Sequence, residues 1–197
     1  MRRLVLATDN RFKLREMAEL LAPSGIEVVP QASLGVRPVA ETGVSFVDNA
    51  LLKARNAAAC TGLAAIADDS GIEVDALAGR PGVHSARYAG PQATDEDNLR
   101  LLERELAGVA DDRRGARYVC AMVYVQSAAD SQPIVCERPW IGRIARERRG
   151  TQGFGYDPVF VVPELGLTAA QLDPERKNAL SHRGQAMRAL LAALPRV

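Results

Sequence analysis

The sequence predicts a mixed α/β fold, because short apolar strands alternate along the chain with helix start signals. Residues 4–7 form a continuous apolar run, which is typical of a buried strand. Thr8, Asp9 and Asn10 follow this run and are residue types that cap helix N-termini. Apolar side chains then recur at helical spacing until Pro23 ends the pattern.

The same signals place the other elements. Further strands are predicted at residues 26–29, 63–67, 72–75, 117–126, 134–144 and 159–162. Helices are predicted behind the caps Ser45 and Thr94, and a last helix is predicted to begin at Ser181. Residues 130–133 have turn chemistry between two long strands, so we expect a hairpin there.

Length and charge limit the partners. A chain of 197 residues suffices for one substantial domain or for two lobes that share a cleft. Hydrophobic residues make up 47%, which is too many for a disordered chain. Proteins that hold long DNA or RNA usually carry a clear basic excess, whereas the formal net charge here is +1. We therefore expect no long nucleic acid as a partner and a small anionic ligand held by a local cluster.

The cysteine content and the N-terminus indicate a cytoplasmic protein. The three cysteines form no C-x-x-C pair and there are only two histidines, so a structural zinc site is not expected. The first apolar run has four residues, which is too short for a signal peptide. No stretch approaches the ~18 apolar residues of a membrane span, so we expect no membrane partner.

Residues 8–13 are the first candidate site. A strand that runs into a helix start presents backbone N–H groups and the positive end of the helix dipole, which suits a phosphate. Thr8 and Asn10 can donate to phosphate oxygens, and Lys13 adds positive charge one turn later. The alternative is ordinary helix capping with a solvated lysine.

The second candidate is Asp68-Asp69-Ser70-Gly71, which we expect to be a turn at the end of the strand at residues 63–67. Adjacent buried carboxylates are costly unless they are paired or bind a metal. Mg²⁺ prefers such oxygen ligands and binds through one or two carboxylates plus substrate phosphates. The alternative is a solvated turn in which an aspartate acts as a cap.

The third and fourth candidates lie in the second half of the chain. Residues 153–158 (Gly-Phe-Gly-Tyr-Asp-Pro) could stack a base on an aromatic ring, or could be a rigid connection with its aromatics in the core. Lys177, His182 and Arg183 lie near a helix start, where cations are unfavourable without an anionic partner, although they could be plain surface charge. Lys53 and Asn49 lie four residues apart on one predicted helix face, and Glu41 precedes that helix; each alone is explicable as solvated surface.

Several familiar sites are excluded by their missing motifs. The chain has no G-x-x-x-x-G-K-[ST], no G-x-G-x-x-G after a strand and no G-x-S-x-G. It is therefore neither a P-loop protein, nor a dinucleotide-binding protein, nor a serine hydrolase of the nucleophile-elbow type.

Together these segments carry a resemblance that covers essentially the whole chain. The matching motifs, in order, are Thr8-x-Asn10-x-x-Lys13, Glu41-Thr42-Gly43-x-Ser45-Phe46-x-Asp48-Asn49-Ala50-x-x-Lys53-Ala54, Asp68-Asp69-Ser70-Gly71 with Val74-Asp75-Ala76-Leu77, Pro81-Gly82-Val83-x-Ser85-Ala86-Arg87-Tyr88, Phe154-Gly155-Tyr156-Asp157-Pro158-x-Phe160 and Ser181-His182-Arg183. This set resembles the inosine/xanthosine triphosphate pyrophosphatase family, in its bacterial dITP/XTP branch.

The resemblance implies a fold, a reaction and a cofactor. It implies an elongated mixed β-sheet flanked by helices, with two lobes and a central active-site cleft, formed by residues 1–197 as one homodimeric domain. It also implies Mg²⁺-dependent hydrolysis of ITP, dITP and XTP to the monophosphate plus pyrophosphate, which removes these purine nucleoside triphosphates from the nucleotide pool. Asp69 matches the proton acceptor, and Glu41 and Asp69 match metal-linked acids, with Asp68 as a further metal candidate.

The resemblance also implies a set of substrate contacts. These residues are Thr8, Asp9, Asn10, Arg11, Phe12, Lys13, Lys53, Ser70, Phe154, Gly155, Tyr156, Asp157, Lys177, His182 and Arg183. Asp9 departs from the small residues common in the family, and it would repel a phosphate unless it points away or faces the metal.

The expected mechanism is in-line attack by a metal-activated water with pyrophosphate as the leaving group. Asp68 or Asp69 would take the proton, and the resemblance favours Asp69. Cations must offset the roughly four negative charges of a triphosphate, and Lys13, Lys53 and Lys177 are the candidates. Donors such as Arg183 and His182 would select bases with an O6 acceptor over adenine. Two alternatives remain: a non-enzymatic nucleotide-binding module, and a hydrolase that prefers another base such as a pyrimidine.

Overall fold

The computed structural model describes residues 3–194, which form a seven-stranded sheet with flanking helices. The strands are β1 (Arg3–Leu6), β2 (Glu27–Pro30), β3 (Ala65–Val74), β4 (Gly115–Val125), β5 (Ile134–Ile144), β6 (Phe160–Val162) and β7 (Leu167–Thr168). The α-helices are α1 (Arg11–Leu21), α2 (Phe46–Thr61), α3 (Asp95–Glu105), α4 (Pro174–Leu180) and α5 (His182–Ala193).

The sheet is mixed, which confirms the predicted α/β fold. Its strand order is β2-β1-β3-β4-β5-β6-β7. β1 runs parallel to β2 and to β3. β6 runs antiparallel to β5 and to β7. The two strands of the expected hairpin, β4 and β5, are neighbours in the sheet. The predicted lobes and cleft stay a prediction.

The described residues divide into two compact units. Residues 3–69, 120–138 and 183–194 belong to the first unit, and residues 70–119 and 139–182 belong to the second. No helix within residues 3–194 has both the length and the apolar composition that crossing a membrane requires.

Two helix layers cover β1 and β3 in the first unit, one on each face. Leu6 and Ile66 pack in a cluster with Met17 of α1 and Met187 of α5. The residues next to Leu6 and Ile66 in the two strands belong to a second cluster. In it, Val5 of β1 and Ala65 and Ala67 of β3 pack with three alanines of α2, namely Ala50, Ala54 and Ala57. Successive strand residues therefore alternate between the α1/α5 face and the α2 face, as the pleat of a strand requires.

The second unit has an aromatic core. The Tyr118 and Phe160 rings have centroids 4.6 Å apart, and the Trp140 and Phe160 rings have centroids 5.1 Å apart. Leu102 of α3 and Tyr156 of the glycine-rich loop belong to the same cluster. The loop at residues 153–158 is thus anchored on a packed core.

The predicted turn at residues 68–71 is wrong, because β3 continues through it without interruption from Ala65 to Val74. A run of polar residues normally ends a buried strand, since carboxylates are costly inside a protein. Here tertiary ion pairs stabilise them, so the strand continues and the two aspartates point to opposite faces of the sheet.

Candidate active site

The segment between β1 and α1 is a helix cap. The side chain of Asn10 accepts hydrogen bonds from the backbone N–H groups of Phe12, at 2.9 Å, and of Lys13, at 3.2 Å. The Thr8 hydroxyl oxygen accepts one from the N–H of Asn10 at 3.2 Å. Asn10 therefore has the capping role that the sequence offered as an alternative, and this cap fixes the first turn of α1, from which Lys13 projects. The substrate contacts of residues 8–13 stay a prediction.

Asp9, Arg11 and Phe12 have other partners in the first unit. The Gln31 amide donates to Asp9 Oδ1 at 2.9 Å, so this carboxylate has a neutral partner. The guanidinium of Arg11 lies 5.0 Å from the centre of the Phe12 ring. This is a cation–π arrangement on the surface of α1.

Asp68 faces α1 and α5 and is completely buried. Its Oδ2 atom lies 3.0 Å from Lys13 Nζ and accepts hydrogen bonds from Arg183 Nε and Nη2, both at 3.2 Å. Burial opposes ionisation, but Lys13 and Arg183 outweigh it, so the pKa of Asp68 lies well below its ordinary value. Asp68 is therefore a buried carboxylate that stays ionised at neutral pH.

Asp69 faces α2 and has a different set of partners. Its Oδ1 accepts a hydrogen bond from Lys53 Nζ at 3.0 Å, and its Oδ2 accepts one from the Asn49 amide at 3.2 Å. Lys53 Nζ also donates to Glu41 Oε1 at 2.7 Å. The ammonium of Lys53 thus bridges the two carboxylates that were predicted to bind metal.

The protonation behaviour of Asp69 differs from that of Asp68. Burial raises the pKa of Asp69, and Glu41 raises it further, while Lys53 and Lys13 act in the opposite direction without cancelling the shift. Asp69 is therefore a stronger proton acceptor than an ordinary aspartate. Lys53 also has a raised pKa: burial lowers it, but Asp69, Asp68 and Glu41 outweigh that effect and keep the ammonium protonated.

The donor set around Lys53 is chemically suited to Mg²⁺. Glu41 and Asp69 offer carboxylate oxygens, which are hard ligands of the kind Mg²⁺ prefers. Within residues 3–194, no three His, Cys, Asp or Glu side chains lie together as a metal-binding group. Mg²⁺ takes one or two protein carboxylates and completes its shell with water and substrate phosphates.

Asp157 organises the glycine-rich loop of the second unit. Its Oδ2 accepts hydrogen bonds from the Phe154 N–H at 2.9 Å and from Lys177 Nζ at 2.7 Å. Its Oδ1 accepts one from the Tyr118 hydroxyl at 3.2 Å. Lys177 Nζ also lies 5.0 Å from the centre of the Phe154 ring. Asp157 and Lys177 together set the position of the predicted stacking ring.

The two glycines of this loop offer a matched stability test. A Cβ on Gly153 would lie 2.0 Å from Asp157 Oδ2, the atom that holds Phe154 and Lys177, and the residue has φ of +76°. Gly155 has φ of +61°, and a Cβ there would have open space around it. We expect Gly155→Ala to cost about 1 kcal/mol of unfolding free energy from backbone strain alone. Gly153→Ala should cost about 3 kcal/mol, because it also displaces a buried charged acceptor.

Urea denaturation of both variants measures this difference. Equal losses of stability in Gly153→Ala and Gly155→Ala would show that the Asp157 carboxylate does not constrain the loop.

The remaining predicted contacts of the second unit are largely buried. The Tyr156 side chain lies in the core, and its hydroxyl donates to the Ser85 carbonyl at 2.8 Å. The His182 ring stacks on Tyr118 with centroids 4.7 Å apart and planes within 5°. The Gly155 N–H donates to Asp95 Oδ2 at 3.0 Å. The alternative in which the loop aromatics belong to the core is therefore correct for Tyr156. Phe154, in contrast, is only half-buried.

The predicted site residues fall into two groups. The first unit holds Thr8, Asp9, Asn10, Arg11, Phe12, Lys13, Glu41, Lys53, Asp68, Asp69 and Arg183. The second unit holds Ser70, Phe154, Gly155, Tyr156, Asp157, Lys177 and His182. Lys13, Arg183 and Asp68 make contact within the first group, and so do Lys53, Glu41 and Asp69.

Sequence reasoning missed Glu16 and Tyr118 as members of these groups. Glu16 is a buried acid on α1 that contacts Arg183. Its signal is visible in retrospect, because it lies three residues after Lys13 and directly before the buried Met17. An acid on the apolar face of a helix requires a buried partner.

Comparisons with known proteins agree with this architecture over nearly the whole chain. The model of the Ham1 family matches residues 4–193. A dITP/XTP pyrophosphatase of Methylococcus capsulatus is 58% identical over 193 residues, which cover 98% of this chain and 96% of the relative.

Solved structures give the same result. A HAM1 protein from Coxiella burnetii is 47% identical and has a TM-score of 0.91, with 98% of each chain covered. A nucleoside-triphosphatase / dITP/XTP pyrophosphatase from Mycobacterium abscessus is 46% identical and has a TM-score of 0.77, covering 98% of this chain and 100% of that one. The resemblance predicted from the motifs is confirmed, and the chain belongs to the Ham1 family.

Proposed function

We propose that this chain hydrolyses nonstandard purine nucleoside triphosphates (ITP, dITP and XTP) to the nucleoside monophosphate and pyrophosphate. The observation that carries the proposal is the 58% identity to a dITP/XTP pyrophosphatase over 98% of the chain. Removal of these nucleotides from the nucleotide pool is the role that such an activity implies.

The charge balance around Asp68 and Asp69 supports a requirement for an added cation. In this cluster three cations, Lys13, Lys53 and Arg183, contact carboxylates. The carboxylates are four: Glu16, Glu41, Asp68 and Asp69. The group is therefore not positive overall, although a triphosphate brings roughly four negative charges. A divalent cation offsets this deficit.

Glu41 and Asp69 would hold this Mg²⁺. When bound there, Mg²⁺ supplies charge neutralisation and lowers the pKa of a coordinated water. Lys53, which contacts both carboxylates, would then have its ammonium available to the triphosphate. Lys13, on the first turn of α1, would contact the same phosphates.

Asp69 rather than Asp68 is our candidate for the general base. Asp68 is completely buried, and its Oδ2 is shared by Lys13 and Arg183, which hold it as an anion of low basicity. Burial raises the pKa of Asp69 in the metal-free protein, and its hydrogen-bond partners are one ammonium and one neutral amide rather than two cations. The opposite orientations of the two side chains in β3 favour separate roles, with Asp68 positioning cations and Asp69 accepting the proton.

The Phe154 loop is our candidate for the nucleobase contacts. Phe154 supplies a half-buried aromatic ring whose position is set by Asp157 and Lys177. Stacking on a ring is tolerant of the base, so selection requires hydrogen bonds to the base edge. A hydrogen-bond donor such as His182 would favour the O6 acceptor of hypoxanthine and xanthine over the amino group of adenine. Arg183, the other expected donor, has its guanidinium directed at Asp68 and Glu16.

A nucleotide panel tests the proposed function. ITP, dITP, XTP, GTP, ATP and the pyrimidine triphosphates are assayed with Mg²⁺ and with excess chelator, and the products are identified. We expect monophosphate plus pyrophosphate from ITP, dITP and XTP, at least ~100-fold lower kcat/KM for ATP, and no turnover with chelator. A 100-fold ratio corresponds to about 2.7 kcal/mol of discrimination, which hydrogen-bonded sites readily supply.

Other outcomes identify the alternatives. Binding of ITP without release of pyrophosphate would indicate a nucleotide-binding module. Comparable rates on pyrimidine triphosphates would indicate a hydrolase of broader specificity, and diphosphate plus phosphate would indicate attack at a different phosphorus.

The proposal includes a homodimeric assembly and a cytoplasmic location. The homodimer follows from the family resemblance, and the cytoplasmic location follows from the cysteine content. Sedimentation equilibrium of the purified protein tests the assembly, and a mass of one chain would contradict it.

A further inference from the structure

The far end of Arg183 contacts Glu16, a buried carboxylate that the proposed reaction does not use. Arg183 Nη1 donates to Glu16 Oε2 at 2.5 Å, while Nε and Nη2 donate to Asp68 Oδ2. The same Asp68 oxygen lies 3.0 Å from Lys13 Nζ. The four side chains form a row of alternating charge, Glu16–Arg183–Asp68–Lys13, which we call the buried charge row.

Regular secondary structure supplies every member of the buried charge row. Lys13 and Glu16 lie three residues apart on α1 and therefore on neighbouring positions of its surface. Asp68 lies inside β3, and Arg183 lies in the first turn of α5. Both ends of the row thus belong to one helix, and packing fixes the backbone at all four positions.

The connectivity of the row makes Lys13 depend on Glu16. Arg183 and Lys13 share a single oxygen of Asp68. A buried guanidinium requires negative partners, and Glu16 is one such partner of Arg183 beside Asp68. When the charge of Glu16 is removed, the ion pair between Arg183 and Asp68 must strengthen. The ion pair between Asp68 and the Lys13 ammonium then weakens.

We propose that Glu16 is a positioning residue that places the ammonium of Lys13 for the substrate triphosphate, acting through Arg183 and Asp68. This inference rests on the proposed function, in which Lys13 contacts the triphosphate. Contacts to a phosphate that persist from the bound substrate to the transition state change KM more than kcat. The role of Glu16 is therefore visible as a selective effect on KM.

Glu16→Gln tests the proposal because it removes the charge and keeps the shape of the side chain. We expect KM for ITP to rise about tenfold while kcat changes by less than about threefold, as for lost uniform binding. Glu19→Gln is the matched control: it makes the same change on the exposed side of α1, and KM should stay within about twofold.

A double variant separates positioning from a general structural effect. In a Lys13→Met background, Glu16→Gln should leave KM unchanged, because the residue it positions is absent. An equal rise in KM in both backgrounds would overturn the proposal, and so would an unchanged KM in Glu16→Gln. The proposed function is judged separately, by pyrophosphate release from ITP by the unaltered protein.

If Glu16→Gln does not fold, Glu16→Asp supplies the test, since it keeps the charge and withdraws it by one methylene. We expect KM to rise about threefold with kcat unchanged, and no rise in the Lys13→Met background. A folded Glu16→Asp variant with normal KM would overturn the proposal.

Discussion

Asp69→Asn is expected to lower kcat for ITP by about 10²- to 10⁴-fold, the contribution typical of a positioned general base. The substitution keeps the shape of the side chain and the oxygen that can accept from Lys53, but an amide cannot take a proton at neutral pH. Because the partners of Asp69 lie on α2 and in the segment before it, the strand and its packing should persist. Steady-state kinetics with pyrophosphate detection measures the loss, and circular dichroism verifies the fold.

Two comparisons make the Asp69 result specific. Asp112→Asn carries the same change of charge at an exposed position, and its kcat should be unaltered. Asp68→Asn should lower stability as well as activity, because it leaves Lys13 and Arg183 without their shared buried anion. Near-normal turnover by a folded Asp69→Asn variant would reject Asp69 as the base.

The different roles of the two aspartates could not be deduced from the sequence, and the reason is physical. Two adjacent acids after an apolar run suggest a strand end, because local rules count only the cost of burying them. The compensation comes from Arg183, which is 115 residues away in the chain, and from Lys13 on α1. Once those partners are present, β3 continues and its pleat separates Asp68 from Asp69 by face.

Elements with local signals were predictable. Ser45 caps α2 by accepting from the Asp48 N–H, and Thr94 caps α3 with a full capping box. Both were visible as cap residues before a helical pattern. The short strand β7 carries no comparable signal, since it has two residues and depends on pairing with β6. Helix α4 does begin with a local signal, Asp173 as the N-cap and Pro174 in the first turn, which the sequence prediction did not use. Local sequence signals can thus predict helices that carry their own cap residues, but not a strand whose hydrogen bonds depend on another strand.

The candidate site, like the fold, was predictable only in part. The motifs identified Lys53, Glu41 and Asp69 as functional residues, yet they did not show that one ammonium contacts both acids. The chain has only three lysines, Lys13, Lys53 and Lys177, and each contacts a carboxylate of the candidate site. The other cationic side chains of the chain are arginines. The scarcity of lysine therefore marks these three positions as unusual, although composition alone does not show what they contact.

The contact of Lys53 with both acids has a measurable consequence for metal binding. Its ammonium lies 2.7 Å from Glu41 and 3.0 Å from Asp69, and so it competes with Mg²⁺ for the same oxygens. We expect Lys53→Met to lower the Kd of the nucleotide-free protein for Mg²⁺ by about tenfold, or about 1.4 kcal/mol. The same variant should lose at least about tenfold in kcat/KM for ITP, since it lacks a cation for the triphosphate.

Calorimetric titration of Mg²⁺ into the nucleotide-free protein separates these two effects, because affinity should improve while catalysis declines. Arg55→Met removes a positive charge from an exposed position of the same helix and should alter neither quantity by more than about twofold. Adding Glu41→Gln to Lys53→Met should abolish the gain, because one of the two oxygen donors is then neutral. A Lys53→Met variant that binds Mg²⁺ no more tightly than the unaltered protein would mean that Glu41 and Asp69 do not hold the ion, and the metal would have to be assigned to other oxygen donors.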